Sequence, residues 1–215
     1  MKIAEVIMAR SVWLFDTYEL NPRGIAFGPI LKALVDRYHF LGVPMPTDFV
    51  DASKGPHFQD GTFSTDHDSI RADLQIYNDG IIGDTRSSTK DTDAFLEDAL
   101  SWAGNEFRLN YRKELVKNKY YESQLTVHPD FDLTNVCEKF KAFAEILTQF
   151  EPGQYTAPEA LTTIAFRPDP NSRLLFTFER REKVPFSENK YFSHASLPTD
   201  RHIALLEVFE RILTS

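Results

Sequence analysis

The densest set of groups able to do chemistry is Asp66-His67-Asp68, with His57 and Asp60 a few residues before it. Carboxylate and imidazole groups are what a divalent metal takes as ligands, and the same groups serve as general acids and bases. On an extended segment, Asp66 and Asp68 share a face while His67 turns away, so three ligands do not converge. No HExxH or EF-hand spacing occurs in the sequence. The pattern predicts a solvated acidic loop without a metal. A small metal-assisted hydrolase using Asp66, His67, Asp68 and Asp84 stands as an alternative.

A second candidate is Asp84-Thr85-Arg86-Ser87-Ser88-Thr89-Lys90, which joins the end of an expected strand to the start of an expected helix. Unpaired N–H groups at a helix start, with Arg86, Ser87, Ser88 and Lys90 around them, are the parts of an anion site. These four residues are the candidate ligand-binding set, for an anion- or nucleotide-sensing domain. The simpler expectation is that the hydroxyls cap the helix. The glycines and the Gly-Lys-Ser/Thr ending of a phosphate-binding loop are missing.

Cys137 sits beside Val136 on an expected helix and reads as a small packing residue. His194 and His202 flank the start of the last expected helix, where capping or packing explains both. Arg108, Arg112, Lys113, Lys117 and Lys119 are interleaved with Tyr111, Tyr120 and Tyr121, the composition of a single-strand nucleic-acid surface. Glu114 and Glu122 interrupt it, and a solvated connector is the expectation. Glu179-Arg180-Arg181-Glu182-Lys183 alternates in sign as a water-exposed strand edge does.

The elements that position these residues follow from periodicity. Residues 1–15 are apolar enough for one long bent strand or two short ones, and Ser11-Val12-Trp13-Leu14-Phe15 is too continuously apolar for a half-exposed strand. Phe27, Ile30, Leu31, Leu34 and Tyr38 recur at helical spacing over residues 26–39. Residues 42–61, rich in Pro, Asp and Gly, read as a long loop. Ile70, Ala72, Leu74 and Ile76 alternate with polar neighbours, then Asn78-Asp79-Gly80 turns the chain into Ile81-Ile82, which predicts a hairpin. Helices are expected over 92–106, capped by Asp91 or Thr92, over 133–149, and from Thr199 almost to the end of the sequence. Strands are expected over 119–128, 161–167, 173–181 and 190–195.

Adjacent hairpins give an α+β fold, a mostly antiparallel sheet covered by about four amphipathic helices, in a single domain spanning residues 1–215. A faint echo between residues 70–106 and 161–213 carries no repeated motif and reads as a common arrangement of elements.

Composition narrows the function classes. The 32 acidic residues against 24 Lys and Arg give a net charge of −8, which disfavours a broad nucleic-acid or anionic-membrane surface. A single Cys, no secretory signal pattern and no long apolar span lead to the expectation of a cytoplasmic protein. No cofactor motif appears. The 18 Phe, 8 Tyr and 2 Trp, together with the apolar segment ending at Phe15, lead to a non-enzymatic protein–protein interaction or assembly protein, self-associating or bound to a protein partner. Trp13 and Phe15 are the expected contact residues.

Overall fold

The computed structural model describes residues 1–44, 55–65, 68–133, 136–138, 142–143, 146, 161–167 and 175–214. Its strands are β1 (Lys2–Leu14), β2 (His57–Ser64), β3 (Ser69–Tyr77), β4 (Gly80–Thr85), β5 (Asn118–His128), β6 (Thr163–Phe166), β7 (Phe176–Arg180) and β8 (Tyr191–Ala195). Its helices are the single turn α1 (Thr17–Leu20), then α2 (Phe27–Tyr38), α3 (Thr89–Phe107) and α4 (Thr199–Thr214). The strands form one eight-stranded sheet in the order β2-β3-β4-β1-β5-β8-β7-β6. The pairs β1–β4, β2–β3, β3–β4, β6–β7 and β7–β8 all run antiparallel. The expected α+β class is the observed one, with these antiparallel pairs and, among the described residues, these four helices, of which the single turn α1 was not expected.

The order of neighbours β1-β4-β3-β2 recurs as β5-β8-β7-β6, with α3 following β4 and α4 following β8. The faint echo in the sequence is thus a repeated topology, reaching back to β1 and β5. It left no shared motif because pairing order is set by backbone hydrogen bonds, which many side-chain combinations satisfy.

Packing divides the chain into two compact units. The first comprises Met8–Ser123 with Leu197–Thr199, and the second comprises Met1–Ile7, Gln124–Ser196 and Asp200–Ser215. In the first unit, Trp13, Phe15, Leu74, Ile81, Ile30, Leu34, Phe95, Leu96 and Leu100 make the core where α2 and α3 meet the sheet. Gly83 lets α3 lie close on β4, since a Cβ there would meet the Leu96 side chain at 2.9 Å. Gly80 is required by close approach: a Cβ would stand 2.1 Å from the Trp13 carbonyl oxygen. The turn before it uses no positive φ at Asn78 or Asp79.

In the second unit the core is aromatic. Phe178 stacks on Tyr191 with centroids 4.7 Å apart, and Phe209 meets the rings of Phe131, Phe176 and Phe178 edge-on or tilted.

Two boundaries differ from expectation. α3 starts at Thr89 with Ser88 as its N-cap, earlier than a cap at Asp91 or Thr92. Residues 57–61, expected within the long loop, open β2, whose alternation is broken by a bulge between Phe58 and Gly61 and by Asp60 at φ 53°. The expected helix over 133–149 and the turn at Pro168-Asp169-Pro170-Asn171 lie mainly outside the described residues. No helix among the described residues is long and apolar enough to cross a membrane.

Candidate functional site

The start of α3 is a self-contained cap. The Ser88 hydroxyl accepts from the Asp91 amide at 3.2 Å and donates to the Asp91 carboxylate at 2.8 Å, and the Ser87 hydroxyl donates to that same carboxylate. The Thr89 amide donates to the Thr199 hydroxyl at 3.1 Å, while the Thr199 amide donates to the Thr89 hydroxyl at 3.0 Å. Asp91 therefore supplies the negative charge that a helix start attracts. Arg86 and Lys90 are exposed beside it. The geometry accounts for Ser87 and Ser88 as capping residues.

The other polar candidates resolve separately. Asp66 and His67 lie outside the described residues, and Asp68 sits in a turn closed by its own carbonyl and amide on Thr65. Asp84 accepts two hydrogen bonds from the Arg10 guanidinium, at 2.7 and 2.8 Å. That pairing, with Glu122 nearby, raises the Arg10 pKa. Among the described residues no group of three His, Cys, Asp or Glu side chains is placed to hold a metal ion.

Three of the five basic residues after α3 are paired with acids: Lys117 with Glu19 at 3.0 Å, Lys113 with Glu97 at 3.8 Å and Lys119 with Asp93 at 3.9 Å. Tyr111 and Tyr121 donate to Glu97 and Asp93. Burial first, and then Glu97, raises the Tyr111 pKa. Lys113, Lys117, Lys119, Tyr111 and Tyr121 are thus committed within the first unit, while Arg108, Arg112 and Tyr120 of the same set are exposed.

Arg180 overturns its expected place on an exposed edge. It is buried, donating to Asp132 and to the Tyr191 hydroxyl, both at 3.0 Å, with its guanidinium 4.9 Å from the Tyr191 ring centroid. Strand alternation decides this: Phe176, Phe178 and Arg180 share the covered face of β7.

The buried pair of His202 and Ser193 has the composition of a base and a nucleophile, at 2.9 Å. The Ser193 hydroxyl donates to the Thr177 carbonyl at 2.9 Å, so its only proton is committed and it accepts from His202 Nε2. Both side chains are fully buried, and burial, with His194 nearby, lowers the His202 pKa to about 4. A histidine that donates to the serine and stays neutral is a structural bond and lacks the lone pair that a general base requires at that nitrogen.

Trp13 and Phe15, the expected contact residues, are 1% and 3% exposed. The Trp13 indole donates to Asp93 at 2.9 Å and lies under the Lys119 ammonium at 3.6 Å. Phe15 turns toward a pocket of the first unit. This pocket is bounded by Phe15, Leu20, Phe27, Ile30, Leu31, Leu34, Leu74, Ile76, Ile81, Ala99, Leu100, Ala103 and Leu109, with Thr17 as the one lining side chain that has a polar atom.

The pocket walls are fixed by hydrogen bonds. Thr17 donates to the Asn78 carbonyl at 2.7 Å, and the Phe15 amide to the Asp79 carbonyl at 2.9 Å. Asn21 closes the turn into α2 by bonding both the amide and the carbonyl of Ile25, at 2.9 and 2.8 Å. At the far end of α2, Asp98 accepts from Tyr38 at 2.5 Å and Arg37 at 3.0 Å. At the near end, Ala26 gives α2 no side-chain cap. Phe27 both lines the pocket and is 44% exposed, and Tyr18, next to lining Thr17, is 84% exposed.

No protein-family model, no curated protein and no solved structure matches the chain. The pocket is therefore read on its chemistry alone. It takes apolar atoms, and none of its lining side chains is titratable or nucleophilic at neutral pH. Residues of the expected helix 26–39 supply one wall. What the sequence did not show is that Ala99 and Ala103, within the helix expected over 92–106, leave room opposite them. The one available signal was their small size on the same face as Phe95 and Leu100.

Proposed function

We propose that this protein is a non-enzymatic protein–protein interaction module that docks through the pocket beneath α2. The observation that carries the reading is the pocket's lining, apolar but for Thr17, with Phe27 of that lining 44% exposed. Energetic anchors of protein interfaces are bulky apolar or aromatic side chains seated in such pockets and ringed by further contact residues. A site of this lining offers no group to move a proton or attack a substrate, which favours binding over catalysis.

Panning a random peptide library against the immobilised full chain tests this. Peptides with a bulky apolar residue are expected to enrich and to bind at micromolar strength. Phe27→Asp, which places an acceptable residue at a helix start, is expected to weaken them at least tenfold with unchanged circular dichroism. Failure to enrich any peptide, together with a strict monomer by light scattering across concentration, would overturn the reading.

A further inference from the structure

We draw no further inference here: the strongest candidate, the apolar pocket beneath α2 bounded by Phe15, Leu34, Leu100 and Ala103, carries nothing beyond the docking reading above, because nothing in the structure shows what covers it.

Discussion

The junction of β4 with α3 and the junction of β8 with α4 hold the same place in the repeated strand order, yet they are built from different chemistry. In the first, Gly83 removes a side chain so that Leu96 and Thr92 approach the strand, and the Thr92 hydroxyl reaches the Ala9 carbonyl at 2.8 Å and Thr85 at 2.9 Å. In the second, β8 carries Ser193, which holds His202 of α4. Thr92 and His202 each lie three residues beyond the Thr that begins their helix. One junction is close packing with non-titrating hydroxyls, and the other is a buried hydrogen bond that depends on a neutral imidazole. The same topology thus yields one unit insensitive to acid at this position and one that is sensitive.

Truncating one core anchor in each unit tests how separately the two are held. Trp13→Ala and Phe178→Ala should each cost about 3–5 kcal/mol, read by urea unfolding. Hydrogen exchange should show the loss in α3 for the first and around β7 and β8 for the second. Equal loss of protection in both units from either change would break the comparison.

Acid should then separate the junctions. The His202 pKa is lowered to about 4 from the ordinary 6.5, so the unfolded chain takes up a proton that the fold refuses. Stability from this group is fully present above pH 6.5, falls as pH drops toward 4, and levels off below that. The total loss is on the order of 3 kcal/mol. Thermal melts across pH should show this slope in the wild type and a flatter one in His202→Gln, whose amide can still donate to Ser193. An unchanged slope in that variant would remove His202 as the cause.

The smallest effect is at the close-packed junction. Gly83→Ala brings a Cβ to 2.9 Å from Leu96 and 3.0 Å from Thr92, so the neighbours must shift. A cost of about 1–3 kcal/mol is expected, independent of pH, and measurable by chemical denaturation. A pH-dependent cost would mean that the two junctions are less distinct than their contacts indicate.

Much of this architecture was legible locally. The alternation of Ile70, Ala72, Leu74 and Ile76, and the helical spacing of Ile30, Leu34 and Tyr38, named both the elements and their buried faces. β2 was not legible, because its bulge puts buried Phe58 and Gly61 three residues apart where a regular strand would give two. Nor was the commitment of the polar candidates. Ser88 and Asp91 were visible as neighbours, but nothing in their spacing told a cap filled by its own carboxylate from one left open to a ligand. Arg180 read as exposed because its neighbours are charged, while its phase on β7 carries it inward to Asp132 and Tyr191.

By itself the sequence determined the α+β class, the antiparallel hairpins, the amphipathic helices and the acidic charge. These depend on side-chain period and on composition, which are local or summed properties. Tertiary structure alone decided that Trp13 is spent on Asp93, 80 residues away, and that Thr89 and Thr199 cap one another across 110 residues. It alone decided that Ala99 and Ala103 face a cavity. Partners and empty space are fixed by which distant surfaces meet, and a periodicity says which face is buried without saying what lies against it.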